Sequence, residues 1–123
     1  MALFASAILC NAHAQTKEVW PSKPVRFVVP FTAGGSIDVL ARLVGRHLET
    51  RLNQPIVVEN RPGAGGTLAT GTTARARNDG YTLLLTSDSA HVIGPALYKN
   101  PGFDPVKDFA PVAPIATAGY VLV

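Results

Sequence analysis

The chain has 123 residues, 47% of them hydrophobic and 15% charged, with a formal net charge of +3. That balance describes a globular chain rather than a disordered one, and the length allows one domain at most. The lysines and arginines are scattered without a basic run, which argues against a nucleic-acid surface.

Residues 1–14 read as a secretory signal peptide. Ala2 to Cys10 is an apolar run too short to span a membrane as a helix, and Ala12-His13-Ala14 supplies a small-x-small cleavage site ahead of Gln15. No Lys or Arg precedes the run, so the start is expected to be clipped; an ordinary buried N-terminal helix is the competing reading. The single cysteine, Cys10, lies inside this segment, and Leu9 is a poor neighbour for a lipidated cysteine. A mature chain from Gln15 would carry no thiol and no disulfide, would not insert in a membrane, and suits the bacterial periplasm.

Thr16 to Lys23 form an extended lead-in, where Pro21 and Pro24 oppose helix. Val25 to Val29 predict a strand buried on both faces of a parallel sheet, closed by Pro30. Ile37, Leu40, Ala41, Val44, Leu48 and Leu52 recur at steps of three and four and mark an amphipathic helix, with Arg42, Arg46, Glu49 and Arg51 on its other side. Ser36 is the expected N-cap, Asp38 suits the positive end of the helix dipole, and Asn53 followed by Pro55 ends the helix.

Ile56 to Val58 predict a second strand, and Thr67 to about Arg77 a short helix of small residues with weak helix propensity. Asn78-Asp79-Gly80 is a turn, and Tyr81 to Thr86 a third strand. Ser87-Asp88-Ser89 can cap a third helix over His91 to Tyr98, against which Gly94-Pro95 counts. Asn100 to Pro105 is a loop, and Val112 to Val123 an apolar extended segment. Strand and helix alternate, so the fold class is α/β, a parallel sheet flanked by helices with right-handed crossovers. Gly119 to Val123 stop in mid-strand by pattern, so the sequence reads as a piece of a longer protein.

Two stretches share one plan of strand, glycine-rich turn and helix start. The first turn offers the N–H groups of Ala33, Gly34, Gly35 and Ser36; the second offers Gly63, Ala64, Gly65 and Gly66, with Asn60 and Arg61 beside them. Glycine lets a ligand approach the backbone, and a helix opening there aims unpaired N–H groups at it. In an open α/β sheet such turns fall at the carboxyl ends of the strands, where ligands bind. A helix end contributes about 0.3–1 kcal/mol per charge, and micromolar binding needs roughly 8 kcal/mol, so several charge-assisted hydrogen bonds of about 1.5–3 kcal/mol each are required. Plain chain reversal is the alternative use of such turns. Arg61 reads as a surface residue or a carboxylate partner, Asp38 as a helix-start stabiliser or loop brace, and Ser87 to Ser89 as an N-cap or a third wall of a cleft.

Other chemistries find little here. Leu68 stands where a dinucleotide fingerprint wants its third glycine, no Lys follows either turn as a phosphate-binding P-loop requires, and Gly-x-Ser-x-Gly is absent. His13, His47 and His91 are far apart, so no metal site, cofactor or catalytic group is assigned. A periplasmic α/β enzyme acting on an anionic substrate would need a nucleophile–base pair at the strand ends. A non-functional truncated product is a third reading.

Trp20 to Arg26 and Val28 to Asp38 resemble the opening of the Bug-type solute-binding receptors of tripartite tricarboxylate transporters. Val57 to Gly66 is similar to their second signature, and Asp79 to Leu84, Tyr98 and Phe103 to Val112 look like later landmarks. The resemblance covers nearly all of Gln15 to Val123. It implies part of the first lobe of a two-lobed periplasmic-binding-protein fold of type 2, which captures a small carboxylate and delivers it to membrane transporter subunits. By motif position it implies a first pincer of Phe31, Thr32, Ala33, Gly34, Gly35 and Ser36 with Asp38 behind it. The second pincer is Asn60, Arg61, Gly63, Ala64 and Gly65, and Ser87 lines the far side. Thr32 stands where members often carry Pro. The second lobe lies outside this sequence, so the piece alone is expected to expose apolar surface and to bind no ligand tightly.

Overall fold

The computed structural model describes residues 19–119. The segment read as a signal peptide and the last residues of the apolar tail lie outside them. Three strands, β1 (Val25–Val29), β2 (Ile56–Asn60) and β3 (Thr82–Leu84), form one parallel sheet in the order β2-β1-β3. β1 takes the centre because its side chains can be buried on both faces. Val25, Phe27, Val28 and Val29 are each under 5% exposed, and Arg26 alone faces solvent. Each such buried side chain contributes about 1.5–3 kcal/mol. Val25 stands opposite Ile56 and Val29 opposite Asn60, so β1 and β2 end level at their carboxyl ends.

Helix α1 (Ser36–Leu52) lies on this sheet through the expected stripe. Ala41 is fully buried, and Ile37, Val44, Leu48 and Leu52 pack on the core of Val25, Phe27, Val29, Ile56 and Leu85. Gly45 lets the helix approach β2 closely, since a Cβ there would sit 3.3 Å from Ile56 Cγ2. Glu49 departs from its expected place on the solvated side: its carboxylate turns back and accepts the Ile56 N–H at 2.9 Å, fixing the start of β2. Asn53 ends the helix in the left-handed conformation, φ 51°, as the sequence predicts.

Ser36 is not the N-cap. That position is held by Gly35 in extended conformation, with no side-chain capping bond, and Ser36 is the first helical residue. No side chain caps the helix; from its first turn the Asp38 carboxylate reaches back to the Gly34 N–H, in the turn before it. Other boundaries shift for local reasons. β2 continues to Asn60 because Glu59 and Asn60 keep pairing with Val28 and Val29. β3 shrinks to three residues, although Tyr81 and Leu85 still bond to Arg26 and Val28 across β1. Helix α2 (Thr67–Ala74) ends earlier than expected, consistent with its Thr- and Gly-rich composition. After β3 a wide helical turn (Ser89–Ile93) leads into α3 (Gly94–Leu97). Pro95 therefore opens a helical turn instead of breaking one, because a first-turn N–H has no intrahelical acceptor to lose.

Phe103 and Phe109 close over His91, with ring centroids 6.3 and 4.8 Å from the imidazole. Beyond them, residues 111–119 are exposed and form no strand. Apolar side chains also face outward on α1 (Val39, Leu43), on α2 (Leu68) and around α3 (Val92, Ile93, Leu97).

Candidate functional site

The turn after β1 is held by side chains. Asp38 is 3% exposed, and its two oxygens collect donors from Gly34, Arg42 and Asn60. Oδ2 accepts from Gly34 N–H at 2.8 Å and from Arg42 Nε at 3.1 Å, and Oδ1 accepts from Asn60 Nδ2 at 3.0 Å. Arg42 Nη2 lies 3.0 Å from Oδ1 as well, a two-point ion pair. The Arg42 guanidinium, the Gly34 N–H and the Asn60 amide together hold the Asp38 carboxyl down at about 2. Asp38 is thus the loop brace of the two readings its sequence position allowed. Its oxygens are engaged inside the protein.

Asn60, at the end of β2, is engaged in the same way. Its amide donates to Asp38 and to the Phe31 carbonyl at 3.2 Å, and its oxygen accepts from Arg42 at 3.1 Å. Phe31 is half-buried against the core, while Thr32, Ala33, Gly34 and Ser36 are exposed at the rim. The N–H groups of Ala33, Ser36 and Ile37 have no protein acceptor among the described residues. They lie at the positive end of a 17-residue helix.

The turn after β2 is held by its backbone. Ala64, Gly65 and Gly66 have φ of 47°, 62° and 92°, a run of left-handed residues that only glycine adopts without strain. Gly66 has a second reason to lack a side chain. A Cβ there would meet Ala90 Cβ at 2.6 Å and Pro30 Cβ at 3.2 Å, so this glycine is the wedge where the chain leaving β1, the turn after β2 and the helical turn after β3 touch. Thr67 opens α2 with its hydroxyl bonded to the Ala64 carbonyl. Arg61 donates its N–H to Val29 at 2.8 Å, and its guanidinium meets Glu59 Oε2 at 2.8 Å, a charge contact without hydrogen-bond alignment. Glu59 Oε1 also faces Arg26 at 3.4 Å, so the Arg61 side chain is steered by one carboxylate shared with another cation.

Ser87 lies past the end of β3 at the same edge of the sheet, its hydroxyl 2.6 Å from that of Ser89. Capping of the following turn falls to Asp88, which accepts the Ser89 N–H at 2.8 Å. All thirteen residues singled out from the sequence therefore lie at or just past the carboxyl ends of the three strands or in the first turn of α1. The contributor that sequence reasoning missed is Arg42, placed there on the solvated side of α1. Its signal was the Asp38-x-x-x-Arg42 spacing, one helical turn. His91 serves structure: its Nε2 lies 2.9 Å from the Pro105 carbonyl. No group of three or more potential metal ligands occurs among the described residues. A cleft of about 480 Å³ lies at the opposite, amino end of the strands, lined by Lys23, Arg26, Arg75 and Tyr81 among others.

A sequence model of the tripartite tricarboxylate transporter family receptor matches residues 40–123. The chain belongs to that receptor family. Among its relatives, protein BugT of Bordetella pertussis is 43% identical over 107 residues, covering 86% of this chain and 33% of BugT. MatC of Rhodopseudomonas palustris, solved with bound malate, superposes with a TM-score of 0.74 at 43% identity, over 78% of this chain and 33% of MatC. A second R. palustris protein, solved with adipate, gives a TM-score of 0.67 at 38% identity, over 70% of this chain and 29% of that protein. The Bug-type resemblance and the α/β fold of a periplasmic binding protein are thereby borne out. The receptor-family chain spans about a third of the length of the curated relatives it matches, 33% of BugT and 36% of another Bordetella pertussis protein. No helix among the described residues is long and apolar enough to cross a membrane.

Proposed function

We propose that residues 15–123 are part of the first lobe of a periplasmic solute-binding receptor, exported by the signal segment of residues 1–14. The receptor captures a small carboxylate between two lobes and passes it to membrane subunits of a tripartite transporter. It performs no chemistry on the ligand. In this reading Phe31 to Ser36 form one pincer and Asn60 to Gly65 the other, with Ser87 lining the far side. Asp38 acts from behind the first pincer.

The observation that carries this reading is the placing of two glycine-rich turns at neighbouring strand ends. One presents the open N–H groups of Ala33 and Ser36 at a helix start, and the other is a strained left-handed turn beside Arg61. Three or four charge-assisted hydrogen bonds at about 1.5–3 kcal/mol each reach the roughly 8 kcal/mol of micromolar affinity. Relatives solved with malate and with adipate support a carboxylate as the ligand class.

The test is a receptor in which residues 19–119 replace the matching segment of the malate-binding relative. Calorimetric titration with malate, adipate and the corresponding neutral amides is expected to give dissociation constants on the order of micromolar for a carboxylate. The amides should produce no binding heat. A folded chimera that binds none of a panel of mono-, di- and tricarboxylates would remove the reading.

A further inference from the structure

We propose that Arg42 is a positioning residue of this site, the latch that fixes the turn after β1 to the end of β2. The role rests on the carboxylate-site reading above. Among the described residues the Arg42 side chain bonds only Asp38 and Asn60. It acts through Asp38 and Asn60, the two polar residues that lie between the turns.

The bonds form a closed ring. Arg42 donates Nε to Asp38 Oδ2 at 3.1 Å and Nη2 to Asn60 Oδ1 at 3.1 Å, with Nη2 also 3.0 Å from Asp38 Oδ1. Asn60 Nδ2 closes the ring on Asp38 Oδ1 at 3.0 Å. Two arms leave this ring for the first turn: Asp38 Oδ2 holds the Gly34 N–H at 2.8 Å, and Asn60 Nδ2 holds the Phe31 carbonyl at 3.2 Å. The ring thus grips the first turn at both ends, while Asn60 is itself fixed in β2 opposite Val29.

An ordinary ion pair one turn apart on a helix surface needs no third partner and sits in solvent. Here the Asp38 side chain is 4% exposed and the Arg42 side chain 47%, so the cation reaches in from the surface to a buried carboxylate. The planar fork of arginine meets Asp38 at two points and still spares a donor for Asn60; a lysine ammonium, a single point charge, does not reproduce that shape. Without Arg42, Asp38 loses two donors and Asn60 Oδ1 loses its own, and both arms to Phe31 and Gly34 slacken. The core of Val25, Phe27, Val29 and Ile56 contains no atom of Arg42, so the sheet has no reason to loosen with the turn.

The experiment compares wild type, Arg42→Met and Arg42→Lys by amide hydrogen exchange in the full chain and by malate titration in the chimeric receptor. In Arg42→Met the Gly34 amide is expected to exchange at least about tenfold faster. The Leu85 and Arg26 amides, bonded across the sheet, should stay unchanged. Malate affinity should fall at least about tenfold with the melting temperature nearly preserved, and Arg42→Lys should recover part of the loss. Unchanged Gly34 exchange with unchanged affinity would overturn the proposal. Uniform acceleration at Gly34, Leu85 and Arg26 in both variants would overturn it too, because that reports a role in global folding only. If the wild-type chimera binds no carboxylate, the receptor reading fails, and the Gly34 exchange alone decides whether the latch exists.

Discussion

The two glycine-rich turns end neighbouring strands and look alike in sequence, yet they are held in place by opposite means. The turn after β1 is fixed by polar side chains: Asp38, Asn60 and Arg42 grip its backbone at Phe31 and Gly34. The turn after β2 is fixed by the absence of side chains, with Gly66 wedged between Pro30 and Ala90. The lesson is that glycine does two jobs in this fold. At Gly34 it lets the backbone curl in open space, and at Gly66 it lets three strand ends meet. The first turn should therefore respond to charge and pH, and the second to volume.

The largest effect is expected from Gly66→Ala. A side chain at φ 92° costs about 1–2 kcal/mol in backbone strain, and forcing a Cβ to within 2.6 Å of Ala90 adds about 1–3 kcal/mol of overpacking. The sum is about 2–5 kcal/mol, read as a fall in melting temperature of the chimeric receptor. A loss below about 1 kcal/mol would show that the helical turn after β3 yields easily, and that the wedge is not what holds the second turn.

Acid should act on the other turn. Asp38 is held at about 2 against an ordinary 3.8, through Arg42 first, then the Gly34 N–H and Asn60. A carboxyl depressed in the folded state contributes stability that is complete above its unfolded value and is lost as pH falls through its folded value. Asp38 should thus hold the first turn fully above about pH 4 and release it as pH approaches 2. Amide exchange at Gly34, corrected for the intrinsic pH dependence, should rise through that window in wild type and be flat in Asp38→Asn. Equal profiles for the two proteins would mean that the carboxylate is not the brace.

Much of the framework was legible in the sequence. β1 was found at its observed limits because a run between prolines that is apolar but for Arg26 has few other uses, and α1 because seventeen residues give the 3.6-residue period room to repeat. The turns themselves were legible from their glycines. What escaped was how each is held. Arg42 and Asn60 are eighteen residues apart and meet only once α1 lies beside β2, so a local reading assigns the arginine to solvent. Ser36 looked like an N-cap because residue type suggests one, yet the extended Gly35 takes that place and no side chain caps the helix. The early end of α2 follows from threonines and glycines that disfavour helix, whereas the turn signal taken as its end lies further on, at Asn78-Asp79-Gly80.

Gly34→Ala should give the smallest effect and the sharpest contrast with Gly66→Ala. Gly34 also has positive φ, 85°, but a Cβ there meets nothing within 4 Å. Only backbone strain remains, about 1–2 kcal/mol, and the exposed turn can relax part of it. Melting temperature should therefore drop less than for Gly66→Ala, and the difference between the two variants isolates the packing term of the second turn. Relaxation has its own cost in function. If the turn shifts to relieve φ, the Gly34 N–H leaves Asp38 and the Ala33 and Ser36 N–H groups move with it. Gly34→Ala is then expected to weaken malate more than it weakens the fold, while Gly66→Ala weakens the fold at least as much as the ligand. The reverse ranking would mean that the turn after β2, and not the latched turn after β1, sets the geometry the carboxylate meets.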